Sequence, residues 1–84
     1  MYRVIWREDA NEQLAAAWLA STDRPEVSRA ADELEKGFRF RPLTFGEGSE
    51  SSVVRIGRDG PLGALIEIVE DDKVVFVLSV WLIV

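Results

Sequence analysis

The sequence contains no cysteine and no histidine. Without cysteine there is no disulfide framework, no thiolate nucleophile and no Cys-based zinc or iron–sulfur site. Without histidine, imidazole acid–base chemistry, Ser-His-Asp triads and the commonest neutral metal ligand are all excluded. Tyr2 is the single tyrosine. Gly46-Glu47-Gly48 is too short for a phosphate-binding fingerprint and is not flanked by a strand and a helix in the required order. The loop serines Ser49, Ser51 and Ser52 have no base beside them, so they read as loop residues and not as nucleophiles. No cofactor is expected. No apolar stretch reaches the ~18–20 residues of a membrane span, and no basic segment with a signal-type apolar region opens the chain. The expected setting is therefore the cytoplasm, with no membrane association.

What is present is enough for one core. The 84 residues are 48% hydrophobic, a size and composition that read as a single domain over 1–84. The formal net charge is −5, which argues against nonspecific attraction to nucleic acid or anionic membrane. Its distribution is uneven. Residues 1–35 carry four basic and eight acidic groups, residues 36–63 five basic and three acidic, and residues 64–84 one basic and four acidic. Only the middle segment is net positive.

The periodicity gives a small set of elements. Tyr2 to Trp6 reads as a short strand. Asp9 with Glu12 has the spacing of a helix-capping box, and the following stretch places Ala10, Leu14, Trp18 and Leu19 on one apolar stripe. Asp23 with Glu26 repeats the spacing, with Pro25 in the tolerated first turn. A second helix then buries Val27, Ala30, Ala31, Leu34 and Phe38, and Gly37 and Pro42 mark its end. The short link between the helices favours an antiparallel hairpin. Residues 43–52 read as loop. Val53 to Ile56, Leu62 to Val69 and the run from Val74 onward read as strands, joined by turns at 58–61 and 70–73. The fold class is α+β, a helical hairpin packed on a small antiparallel sheet in the order β-α-α-β-β-β.

The closing run, Val74 to Val84, is apolar apart from Ser79, as in a strand buried on both faces. At ~3.3 Å per residue it is longer than a usual strand of about 5–6 residues. Trp81, Leu82, Ile83 and Val84 are therefore candidates for a partner interface, since an uncovered apolar end invites aggregation. The polar constellation worth weighing is Lys36, Arg39 and Arg41 with Arg55 and Arg58. Arginines alternating with Phe38 and Phe40 fit either phosphate contacts beside stacking platforms, or a helix end whose cations favour the dipole while its phenylalanines fill the core. Glu67, Glu70, Asp71 and Asp72 read as a solvated hairpin tip, and no metal site is expected.

The element order, together with Ile66-Glu-Ile-Val-Glu-Asp-Asp-Lys-Val-Val-Phe-Val-Leu-Ser-Val80, the Trp18-Leu-Ala triplet and Pro61-Leu-Gly63, resembles the RelE/ParE superfamily of bacterial type II toxin–antitoxin systems and its plasmid-stabilisation-like branch. The resemblance implies a toxin-like protein that acts by binding and is neutralised by a cognate, often acidic, antitoxin docked on the basic residues. It also implies alternatives: a ribosome-dependent mRNA endoribonuclease with Arg55 and Arg58 as candidate catalytic groups, a ParE-like inhibitor of DNA gyrase, or a degenerate inactive toxin. Catalytic members carry an arginine where this chain has Gly63 or Ala64, and an Arg or Tyr beyond the last strand, where this sequence has no polar group after Ser79. The expectation leans away from an enzyme and toward an antitoxin partner or a homodimer.

Overall fold

A computed structural model describes residues 1–45, 47–48 and 53–83. In chain order they form β1 (Arg3–Trp6), α1 (Glu8–Ala20), α2 (Arg24–Phe40), a 3-10 turn (Pro42–Thr44), β2 (Glu47–Gly48), β3 (Val54–Asp59), β4 (Leu62–Val69) and β5 (Val74–Leu82). One sheet runs β1-β5-β4-β3-β2. The expected helical hairpin on a small sheet is observed, with the C-terminal strands as an antiparallel meander. The sheet is nevertheless mixed, because the hairpin returns the chain so that β1 lies parallel to β5, Arg3 beside Val74 and Trp6 beside Val77. The segment 43–52, expected as loop, contributes the end of the 3-10 turn and the two-residue strand β2; Gly46, Ser49, Ser51 and Ser52 lie outside the described residues.

Helix α2 follows its sequence pattern. Asp23 Oδ1 accepts the Glu26 amide at 3.3 Å, Pro25 sits in the first turn, and Val27, Ala30, Leu34 and Phe38 are buried. Its end differs from expectation at Gly37. The helix runs past Gly37 and stops at Phe40, just before Pro42 as expected, while Gly37 serves close packing, since an added Cβ would run into the Phe45 ring. Helix α1 departs further. It starts at Glu8 with Arg7 as N-cap and no side-chain cap, so Asp9 lies in the first turn and favours the dipole without closing a capping box. The buried positions are Ala10 and Ala17, with Leu14 packed against the core, while Trp18 and Leu19 are exposed. Small side chains at 10 and 17 let α1 lie close on the sheet, which rotates the expected stripe away from Trp18.

Strand β5 is the centre of the fold and is not regular. Leu65 pairs with Ser79 and Ile66 with Val77, so Leu78 is one residue too many: a β-bulge. Before it Val75 and Val77 face the helices; after it Val80 and Leu82 do, Val80 buried and Leu82 packed against the core. Strand β1 ends at Trp6, and the Val80 amide is taken up by Gln13 Oε1 of α1 at 2.7 Å. Replacing Gln13 with Met keeps length but removes that acceptor. The expected loss is about 1–2 kcal/mol in chemical denaturation, with faster amide exchange at Val80; unchanged exchange would show that the bond contributes nothing.

The turn between β3 and β4 is tighter than expected. Pairing continues through Arg58 and Asp59, and Gly60 (φ 51°) makes the turn with Pro61. Arg29 of α2 ties this turn down, binding Glu26 at 2.5 Å and Asp59 at 2.7 Å.

Both helices pack on one face of the sheet, against Leu62, Ala64, Ile66 and Ile68 of β4 and the inward residues of β5. Among the described residues nothing covers the opposite face. No helix among them is long and apolar enough to cross a membrane.

Candidate functional site

The five basic residues singled out in the sequence occupy three different settings. Lys36 and Arg39, in the last turns of α2, are matched by acids one helical turn earlier: Lys36 to Glu33 at 3.5 Å and Arg39 to Glu35 at 3.8 Å. Glu35 also accepts the Trp6 indole N–H at 3.0 Å. Arg41 follows the helix, is exposed, and has no carboxylate partner among the described residues. Arg55 and Arg58 are parted by the sheet itself. Arg55 pairs in register with Ile66, a core residue, so its side chain starts on the helix side; Arg58 pairs with Gly63 and lies on the open side. A site needing both on one phosphate is not assembled.

Arg55 is half-buried, and its Nε is buried without a hydrogen-bond partner. It flanks a hollow of about 240 Å³ lined by Leu43, Val53, Arg55, Ile68 and Glu70. A second hollow of about 230 Å³ sits beside it in sequence, lined by Glu33, Lys36, Gly37, Phe40 and Arg41. Three large apolar side chains mark this end of the molecule as exposed: Phe40 at 65%, Leu43 at 51% and Val53 at 43%. The two phenylalanines of the sequence motif thus divide. Phe38 is fully buried against Phe45, ring centroids 4.9 Å apart, and Phe40 is on the surface. These hollows offer exposed apolar side chains and two guanidiniums with no carboxylate partner among the described residues, features suited to an acidic segment with apolar anchors.

Beside them lies a cluster that sequence reasoning missed. Tyr2 donates its hydroxyl to Glu70 Oε2 at 2.6 Å, Lys73 binds the other oxygen of Glu70, and the Lys73 ammonium lies 5.0 Å from the Tyr2 ring centroid. Lys73 takes a left-handed backbone conformation (φ 53°) that closes the β4–β5 turn. The Lys73 bond first, then the Tyr2 bond, hold the Glu70 carboxyl below its usual range. The Glu70 bond raises both the Tyr2 phenol and the Lys73 ammonium. The signs follow. Stability from the depressed Glu70 is present above the normal carboxylate range and is lost as pH falls through its folded value. Stability from Lys73 and Tyr2 is lost as pH rises through their raised values. Replacing Glu70 with Gln is therefore expected to flatten the melting temperature against pH at both ends; an unchanged acid limb would show that other carboxylates carry it.

The helical hairpin carries a separate apolar groove of about 560 Å³, whose lining includes Leu14, Trp18, Leu19 and Ala31. Trp18, expected in the core, instead packs under Arg24, whose guanidinium lies 4.8 Å from the ring and caps α1 through the Trp18 and Leu19 carbonyls. On the open sheet face Trp81 lies across Gly63 and is 38% exposed. Leu82 packs inward and Ile83 is exposed, while Val84 lies outside the described residues. Among the described residues no three carboxylates converge as a metal site.

No protein-family profile and no curated protein sequence matches the chain. Solved structures do. A chain of the RelBE2 toxin–antitoxin complex from Mycobacterium tuberculosis matches with a TM-score of 0.73 at 21% identity, covering 98% of this chain and 98% of that one. A chain of the chromosomal ParDE system from P. aeruginosa matches at 0.72 and 17% identity, over 100% and 98%. One from the intact E. coli RelBE complex matches at 0.66 and 17% identity, over 100% and 99%. At these identities the likeness concerns the backbone, and it covers the whole architecture: this chain carries the RelE/ParE-type α+β fold.

Proposed function

We propose that the chain acts by binding, as the toxin-like member of a type II toxin–antitoxin pair, and that an acidic partner segment neutralises it by docking at the end of α2. The observation that carries this is the exposed patch of Phe40, Leu43 and Val53 with two cations, Arg41 and Arg55, that no carboxylate among the described residues neutralises. A partner carboxylate would neutralise these cations, and its apolar side chains would cover the phenylalanine and leucine. The fold match to chains of RelBE and ParDE complexes supports the same reading. An endoribonuclease would need its cations to converge on one phosphate. Arg55 and Arg58 on opposite faces, and Arg39 drawn to Glu35, favour binding over that alternative. The test is co-expression with the product of the adjacent gene. A stable complex that relieves growth inhibition is expected; a protein that ignores that product and is harmless when expressed alone would overturn the proposal.

A further inference from the structure

The open face of the sheet has its own pattern, distinct from the patch at the end of α2. Successive cross-strand rows read Ile5, Phe76, Glu67 and Val54; then Ser79, Leu65 and Ile56; then Trp81, Gly63 and Arg58. Ile5, Phe76, Val54, Leu65 and Ile56 are half-buried and Trp81 is exposed, with nothing among the described residues above them. Two opposite charges stand on this face on either side of the Leu65–Ile56 row, and neither has a partner among the described residues. Glu67 lies in the row on one side, Arg58 in the row on the other.

Gly63 shapes the second of these rows. It has no side chain, and the Trp81 indole fills the space: a Cβ on Gly63 would lie 2.5 Å from both Cε2 and Nε1 of the ring. The indole N–H therefore sits over Gly63 from one side, with no acceptor among the described residues, and Arg58 is the cross-strand neighbour of Gly63 on the other, its side chain starting on the same face. The position above Gly63 is thus bordered by two donors suited to a carboxylate. The face carries such a carboxylate itself. A twofold axis lying across the strands along the Leu65–Ile56 row exchanges the two outer rows and sets Glu67 of one copy above Gly63 of the other. The same rotation sets Trp81 over the partner's Phe76. Each copy supplies one acid and one set of donors, as an isologous contact requires.

We propose that the open sheet face is a self-association surface, on which a second copy of this chain closes the apolar rows through reciprocal contacts of Glu67 with Arg58 and the Trp81 indole. The occupant is a second copy because the charge pattern is complementary to itself. The inference is independent of the antitoxin reading, which uses the far side of Arg55.

Sedimentation equilibrium of the full chain alone is expected to give a concentration-dependent dimer. Arg58→Glu and Glu67→Arg, each placing like charges face to face, should raise the dimer Kd at least about 100-fold, and the double reversal should recover most of the loss. Circular dichroism reports whether each variant is folded. Should a reversal fail to fold, Glu67→Gln serves in its place, with an expected weakening of about tenfold. A monomeric wild-type chain, single reversals that leave the dimer intact, or a folded double reversal as weak as the singles would each overturn the proposal.

Discussion

Phe38→Ala is expected to cost about 3–5 kcal/mol of folding stability, and Phe40→Ala, two positions on, under about 0.5 kcal/mol. Phe38 is fully buried and sits where three elements meet: α2 that carries it, the Phe45 ring, and Gly57 of β3, whose absent Cβ would lie 2.9 Å from the Phe38 ring. Removing the ring leaves a cavity bounded by a sheet backbone and a second aromatic, neither of which can collapse into it without breaking strand pairing. An 84-residue chain commands in total about 4–13 kcal/mol, by the usual 0.05–0.15 kcal/mol per residue. The alanine variant should therefore lose from about a quarter of that margin to all of it. Urea titration measures both effects: a shift of the Phe38→Ala midpoint no larger than that of Phe40→Ala would mean that α2 does not hold the sheet as described. Phe40→Ala should instead appear in partner binding, because its ring is on the surface.

The second large effect is on that binding. Arg41→Glu and Arg55→Glu are each expected to raise the Kd of the partner complex by at least about 30-fold, from the 2–5 kcal/mol lost when one side of a buried charged contact is removed. Lys36→Glu and Arg39→Glu should change it by less than about fivefold, since exposed helix pairs contribute little. The difference arises from what each cation already has. Glu33 and Glu35 neutralise the first two, whereas Arg41 has no such partner among the described residues and the Arg55 Nε is buried without an acceptor. Isothermal titration calorimetry at fixed salt separates the cases. Equal effects at all four sites would indicate a general electrostatic attraction in place of a docking site.

Much of this was legible in the sequence, for definable reasons. The stripe of α2 and its Asp23 cap were readable because a strongly amphipathic helix with a capping acid leaves little freedom. Helix α1 follows its expected stripe at Ala10 and Leu14 and departs from it at Trp18 and Leu19, because Ala17 carries the next contact and side-chain size favoured the bulky pair. The separation of the arginines was present in the spacing. Positions 55 and 58 are three apart in a strand, an odd interval that places them on opposite faces, and Glu33–Lys36 and Glu35–Arg39 have the intervals of helix ion pairs. The parallel pairing of β1 with β5, the Tyr2–Glu70–Lys73 cluster and the use of Gly37 and Gly63 as seats for Phe45 and Trp81 depend on contacts between distant parts of the chain. No local pattern encodes them.

The bulge in β5 makes chain length a determinant of surface chemistry. Counted in strict alternation from Val75 and Val77, Ser79 and Trp81 would point at the helices, and Val80 and Leu82 would point away. One surplus residue, Leu78, reverses the phase. Trp81 thus owes its place on the open face to arithmetic as much as to its own side chain. The indole that lies on Gly63 would be aimed into the core of a strand one residue shorter on its N-terminal side of the bulge, unless the bulge itself were given up.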